Sequence, residues 1–441
     1  MPRVRPARER WSTAVRWTGA LFLGVACLIA YRANGLVLEE IDAIPTPYVA
    51  WSILEHADLG LDRFPEIHRF PRVVRPTERG RVSKYPPGVG LSAAAFVAPM
   101  TAGREAPPTY EEMLEIGKWV GAGFSAATVS IFYLWASRVA VIGALPAAIV
   151  LGLGTTLFST AGQAGWAHGP ATFWWLLGFF LVWKVQASPA NRDWLLLVAG
   201  LAFSMAILTR PMVALMLAAA GLALVVDRRW RGLALLLLGG APGALATAAY
   251  QSYSFDSAVI GGYTLDASEG GLTNAYPLGG FFGLLFSPSR GLFVFTPAFL
   301  VALAGLPTAF GWCRREAGPA LHVLAALLLS AGAQLLLSAT WRGWVGGWTW
   351  GPRLLTESLP AWAMLMAVGY ERWATSWPKR AIAALLIALS IGIHAIGVTP
   401  RYGYQQWHAR HADNLRDAAW DVDDLLIEAQ LEERPPPSQS R

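Results

Sequence analysis

Cysteine is nearly absent: Cys27 and Cys313 are the only two in 441 residues. One falls inside an apolar run and the other in a basic turn, so neither a disulfide framework nor a cysteine metal knuckle is available. Charge is scarce too, at 15% of residues, against about 25% in an ordinary soluble domain. The net charge of +6 is not gathered on a face interleaved with exposed aromatics, which excludes a nucleic-acid-binding role. No repeat of roughly 20–50 residues is visible, which argues against a transporter built from inverted repeats. No small-residue cleavage site follows the first apolar run. Arg32, Asn34 and Glu39-Glu40 follow instead, so the run reads as a retained helix and not a removed leader.

Apolar sequence is what the chain has in abundance. Hydrophobic residues make up 54%, and the mean hydropathy is +0.40. Apolar segments run at about 17–33, 86–100, 117–136, 139–158, 169–183, 194–208, 212–226, 232–250, 291–311, 319–340, 354–370 and 381–397. Serial runs of this kind mark helices that cross a lipid bilayer. The expected fold class is an all-α integral membrane bundle of about 11–12 apolar helices.

Basic residues set the expected orientation. Arg3, Arg5, Arg8, Arg10 and Arg16 place the N-terminal segment, 1–16, in the cytoplasm. Arg228-Arg229-Trp230-Arg231, Arg314-Arg315 and Lys379-Arg380 read as cytoplasmic turns by the same rule. The transmembrane domain is then 17–397, with 34–84, 251–290 and 341–353 outside, followed by a short polar tail at 398–441. The tail carries a helical patch at 413–433 and a Pro-rich end. A cytoplasmic start and an outside tail require an odd number of crossings. One piece should therefore be half-spanning: either 86–100 or the pair 194–226, broken at Thr209-Arg210-Pro211.

The chemistry-bearing residues gather in the outside stretches. The first, 34–84, holds eight acids and seven Lys/Arg. Glu39, Glu40 and Asp42 stand at the exit of the first helix, ahead of an amphipathic helix at 47–57. Carboxylates crowded near low dielectric have raised pKa values, which suits proton abstraction, with a solvated helix end as the plainer alternative. The functional reading of the cluster is a general base or a cation site. Lys84 and Tyr85 precede Pro86-Pro87, so the lysine is held at headgroup level, where a lipid phosphate would meet it. The plainer role for Lys84 is interfacial snorkelling. His168 lies at a helix mouth, and Arg210 lies between two apolar runs, where a cation needs a partner or a wet cavity. Arg290 re-enters the membrane after a long loop bearing Tyr253, Tyr263 and Tyr276, the kind of loop that serves as a lid or binding segment. Residues 341–353 read WRGWVGGWTWGPR, four Trp and four Gly. Trp348 and its neighbours suit packing on a sugar or an isoprenoid. Arg353 and Glu357, four apart, are expected to pair on one helix face.

In order and sidedness these motifs resemble the GT-C polytopic glycosyltransferases. Glu40 and Asp42 resemble the group's acidic motif in the first outside loop. The KYPP step at 84–87 is similar to that of lipid A aminoarabinose transferases and protein O-mannosyltransferase relatives. The 348–353 element and Asp421 resemble features of an uncharacterised bacterial subgroup. The resemblance covers most of the chain in layout but only about thirty residues in motif. The large soluble C-terminal domain of several relatives is missing, as is the aspartate often found near His168 in O-mannosyltransferase relatives.

The resemblance implies a GT-C-like bundle in a bacterial inner membrane, active on the outer face. It implies transfer of a sugar from a polyprenyl-phosphate-linked donor, with inversion, to a glycan, lipid or protein acceptor. Lys84, Arg290 and Arg353 would face the donor phosphate, and Asp42, with Glu40 assisting, would be the catalytic base. Glu40 and Asp42 could also share a divalent cation, though nothing demands a tightly bound metal. Two other classes stay compatible with the pattern: a transporter or lipid flippase, and a non-catalytic membrane scaffold.

Overall fold

The computed structural model describes residues 12–104, 106–188, 192–258, 261–262, 276–400 and 403–432. The arginines before Ser12, Tyr263 and the Pro-rich end lie outside the described residues.

Among the described residues, five helices are long and apolar enough to cross a membrane: α1 (Thr13–Arg32), α4 (Tyr110–Val139), α9 (Trp230–Phe255), α13 (Pro319–Thr340) and α15 (Trp377–Ile396). The chain is an all-α integral membrane protein. Ser12 caps α1 by accepting a hydrogen bond from the Val15 N–H at 3.3 Å. Thr109 and Glu112 form a reciprocal capping box at the start of α4. Between these helices lie α2 (Pro45–His56), a hairpin of β1 (Val74–Thr77) and β2 (Gly80–Ser83), and α3 (Gly88–Thr101). Next come α5 (Ala144–Leu153), α6 (His168–Gln186), α7 (Trp194–Thr209) and α8 (Ala214–Val226). The hydrophobic core runs continuously through the bundle, joining α1, α4, α5, α6 and α7 to α13, α14 (Leu359–Trp373) and α15.

Both candidates for a half-spanning piece are short. At 1.5 Å per residue, α3, α7 and α8 rise about 21, 24 and 20 Å, below the roughly 30 Å hydrocarbon core. Pro211 has no N–H to continue α7, and Arg210 is extended at φ −144°, so the chain breaks between α7 and α8. The start of α3 is set hard against this break. A Cβ on Gly88 would lie 2.4 Å from the Leu208 carbonyl carbon, so only glycine permits the approach.

Three expectations need correction. The apolar run 291–311 is not one helix but α11 (Leu292–Phe295), a 3₁₀ stretch Pro297–Gly305 and α12 (Leu306–Trp312), interrupted at Pro297 and Pro307. The stretch 251–290 is not all loop: α9 continues to Phe255, and α10 (Pro277–Phe286) is apolar. The helical patch expected at 413–433 is not continuous, and the tail packs on the bundle. Its α16 (Gly403–Arg410), α17 (Leu415–Ala418) and α18 (Leu426–Leu431) fold back, and Trp407, Leu426 and Ala429 pack with Phe295 and Trp350.

Candidate active site

The exit of α1 is fixed before the acidic residues begin. Lys118, buried on α4, donates to Asn34 Oδ1 at 2.6 Å and to the Leu36 carbonyl. Asn34 in turn donates to Gln163 Oε1 at 2.8 Å. Thr46 Oγ1 donates to the Gly165 carbonyl at 2.7 Å, tying the start of α2 to the mouth of α6. Asp42 is thereby delivered beside Trp166 and His168, and all three line one cavity.

That cavity holds about 1240 Å³. Asp42, Lys84, Tyr85, His168, Arg210 and Arg353 all face it, drawn from the first loop, the mouth of α6, the α7–α8 break and the Trp/Gly segment. The hairpin sets Lys84, whose backbone N–H donates to the Val73 carbonyl at 2.8 Å. Positive φ at Gly346, Gly347 and Gly351, between +71° and +79°, folds the Trp/Gly segment tightly, and no L side chain adopts these values cheaply. The fold thus places four separated stretches of sequence, together with the tail, around one space.

Asp42 and Arg353 form the centre. Arg353 NH1 lies 2.9 Å from Asp42 Oδ2, and its guanidinium stacks 4.6 Å over the Trp166 ring. About a third of the Asp42 side chain, 35%, is exposed, and that exposure is toward the cavity. Burial works to raise the Asp42 pKa, but Arg353, the Tyr85 hydroxyl and Lys84 together hold it below the ordinary carboxylate value. The expected raised pKa therefore does not belong to Asp42. It belongs to Glu40, which burial pushes up to about 7 against the pull of Arg353 and with the push of Asp42. Glu40 does not line the cavity. Glu39 points away and pairs with Arg69 at 3.2 Å.

Glu40 gives a pH-dependent stability. A carboxyl whose folded pKa is raised contributes stability that is full below about 4.5 and is lost as pH rises through about 7. The wild-type melting temperature should therefore fall between pH 6 and pH 8, and Glu40→Gln should flatten that fall. Melts followed by tryptophan fluorescence at both pH values test this; parallel behaviour of the two proteins would mean that Glu40 titrates normally.

The Asp42–Arg353 pairing corrects a second expectation. Arg353 and Glu357 do not pair. The segment Arg353–Ser358 is 3₁₀, so residues four apart diverge by about 120°. Glu357, fully buried, instead accepts from His168 Nδ1 at 2.8 Å and Gln334 Nε2 at 2.7 Å, and lies 2.9 Å from Arg210 Nε. Arg210 NH1 donates to His168 Nε2 at 3.1 Å. His168 therefore donates from Nδ1 and accepts at Nε2, which defines a neutral ring. The network holds Arg210 at the cavity floor. Sequence reasoning missed it, although Glu357 is the lone acid in an apolar stretch, and such an acid must be partnered.

Arg290 and Trp348 sit elsewhere than expected. Neither lines the cavity. Arg290, 1% exposed, donates to the carbonyls of Thr349 at 2.7 Å, Gly347 at 3.1 Å and Ser289 at 3.2 Å, and to His408 Nε2. It clamps the Trp/Gly segment to the tail and does not face a donor phosphate. Trp348 stacks on His408 at 5.8 Å, while Trp341 and Trp344 face the cavity. Burial and the Arg290 charge drive the His408 pKa well below its ordinary value, so the clamp holds a neutral imidazole. Tyr276 lines the cavity; Tyr253 does not, and its ring lies under the Arg79 guanidinium at 4.8 Å. Asp421 accepts from the Asp423 N–H at 2.8 Å and shapes the tail.

Of the two carboxyls expected to be able to share a divalent cation, Asp42 pairs through Oδ2 with Arg353 at 2.9 Å, and Glu40 does not line the cavity. Among the described residues, no three His, Cys, Asp or Glu side chains are grouped to hold a metal.

The fold has relatives among solved structures. The archaeal oligosaccharyltransferase AglB from Archaeoglobus fulgidus, in complex with an inhibitory peptide and a dolichol-phosphate, aligns at 13% identity and a TM-score of 0.52 over 97% of this chain and 61% of that one. ArnT from Cupriavidus metallidurans bound to undecaprenyl phosphate aligns at 13% identity and 0.50, over 96% of this chain and 75% of that one. The chain shares its fold with these two structures. It spans 61% of the length of the oligosaccharyltransferase it matches. No protein-family model matches the sequence, and no curated protein matches it.

Proposed function

We propose that the chain is a membrane glycosyltransferase that moves a sugar from a polyprenyl-phosphate carrier to a hydroxyl acceptor on the non-cytoplasmic face, with inversion. One observation carries this reading: a single cavity presents the Asp42 carboxylate together with Lys84, Arg210 and Arg353. The leaving group is an anionic lipid phosphate, and cations fixed beside it stabilise the charge that develops as the glycosidic bond breaks. The acceptor oxygen bonds to the anomeric carbon as the carbon–phosphate-oxygen bond breaks. The acceptor proton passes to Asp42, and polyprenyl phosphate leaves.

Arg353 neutralises Asp42, which makes the carboxylate a weak base. A donor phosphate competes for the same guanidinium. Drawing Arg353 to the phosphate restores basicity to Asp42, so donor binding and base activation are coupled. The bundle lies in the bacterial inner membrane in this reading, and the donor reaches the cavity within the membrane plane.

Reconstitution with polyprenyl-phosphate sugars tests the proposal directly. Lys84→Ala and Arg353→Ala should each weaken donor affinity by roughly 10- to 100-fold, as loss of a charge-assisted contact implies. Arg353→Lys should recover only part, because a lysine cannot pair with two oxygens in a plane. Donor affinity unchanged in both alanine variants would place the phosphate elsewhere. Substrate movement across vesicles without sugar transfer would replace the reading with that of a transporter.

A further inference from the structure

One part of the cavity wall is built by the tail and is not used by the proposed chemistry. The turn between α16 and α17, followed by α17, presents Asp413, Asn414, Asp417 and Trp420 to the cavity, and Trp341 faces it from the Trp/Gly segment. This wall is fixed in place. Arg290 joins His408 of α16 to the Gly347 and Thr349 carbonyls. The Ser289 N–H donates to the Ala419 carbonyl at 3.3 Å, and Ser289 Oγ accepts from Leu426 N–H at 3.3 Å. Trp407 Nε1 donates to the Asp424 carbonyl at 2.8 Å. The segment 286–292 therefore serves as the anchor of the tail.

The anchored wall leaves its polar groups open. Among the described residues, the side chains of Asp413, Asn414 and Asp417 make no hydrogen bond or ion pair within the protein, and Trp420 is 44% exposed. Planar carboxylates and an amide grip neighbouring hydroxyls in pairs. An exposed indole face packs against the C–H face of a sugar ring. A lipid acceptor would want a continuous apolar wall, whereas here Leu415, Trp420 and Trp341 are interspersed with Asp413, Asn414, Arg416 and Asp417. An extended peptide would want an unpaired strand edge; among the described residues β1 and β2 pair with each other, and neither lines the cavity.

We propose that the 413–420 wall is an acceptor subsite for a polyhydroxylated glycan, an inference that rests on the transferase reading and names its acceptor class. The test uses the full-length protein in lipid nanodiscs with three probes: maltotetraose, mannotetraose and a β-linked N-acetylglucosamine tetramer. A Ser/Thr-rich peptide is the competitor. Tryptophan fluorescence reads binding, and transfer assays with a polyprenyl-phosphate sugar read KM and kcat. At least one saccharide should bind. Trp420→Ala should weaken it by roughly tenfold, Asp417→Ala should weaken it as well, and both should leave donor affinity and melting temperature unchanged. In the transfer assay the loss should fall on acceptor KM and not on kcat. Binding of no saccharide, preference for the peptide, or saccharide binding indifferent to both variants would overturn the proposal. Saccharide binding that depends on Trp420 and Asp417 without any transfer would defeat the transferase reading and leave the wall as a glycan site.

Discussion

Asp42→Asn is expected to abolish sugar transfer, with a fall in kcat of about 10²–10⁴, the usual worth of a positioned general base. The change is nearly isosteric, so the chain should insert and fold normally. Donor affinity should hold or tighten. Arg353 lies 2.9 Å from the Asp42 carboxylate and loses that counter-charge in the variant, which leaves it to the donor phosphate. The combination of lost turnover and retained donor binding separates proton abstraction from general damage to the site. Glu40→Gln should be milder, since Glu40 stands behind Asp42 and outside the cavity lining. Glu39→Gln should be close to neutral, because Glu39 pairs with Arg69 on an exposed surface. The measurement is single-turnover transfer in liposomes from a matched polyprenyl-phosphate donor. Near wild-type turnover in Asp42→Asn, with Glu40→Gln inactive, would move the base to Glu40.

Glu357→Ala should cost about 3–5 kcal/mol of stability, the usual result of removing one partner of a buried ion pair. Glu357 is fully buried, and its removal leaves Arg210 facing the cavity floor without the carboxylate 2.9 Å from its Nε. His168 would also lose the acceptor that sets its tautomer. A second variant makes the idea refutable. Glu357→Gln with Arg210→Met removes both charges, so most of the lost melting temperature should return while donor affinity stays impaired. A Glu357→Ala protein that melts like wild type would show that cavity water, and not Glu357, supports Arg210. No recovery in the double variant would mean that Gln334 and His168 carry the stability of this region.

Part of the site is legible in the sequence. Asp42, Lys84, Tyr85, His168, Arg210 and Arg353 each carry a local signal: an acid at a helix exit, a lysine before Pro-Pro, a cation between apolar runs. All six line the cavity. Arg290 carries the same kind of signal and is a clamp, because a guanidinium that grips carbonyls reads in sequence like one that grips phosphate. The pairing of Arg353 with Glu357 fails for a definite reason. It assumes α-helical spacing in a segment that Pro352 starts as a 3₁₀ turn.

Hydropathy is a sum over neighbours along the chain, so the sequence alone determined that this is a helical membrane protein and where its polar stretches interrupt it. Glycine and proline act on their own φ angles, so the break at Arg210-Pro211 and the tight Trp/Gly segment were local facts as well. Distances between residues hundreds of positions apart are not local. Only the tertiary structure decided that Arg353 meets Asp42, that Glu357 meets Arg210 and His168, and that the tail closes one wall of the cavity. The reason is electrostatic and steric together: a buried charge takes whichever opposite charge the packing of the helices brings within reach, and that packing is set by close contacts such as Gly88 against Leu208, which no pattern along the chain displays.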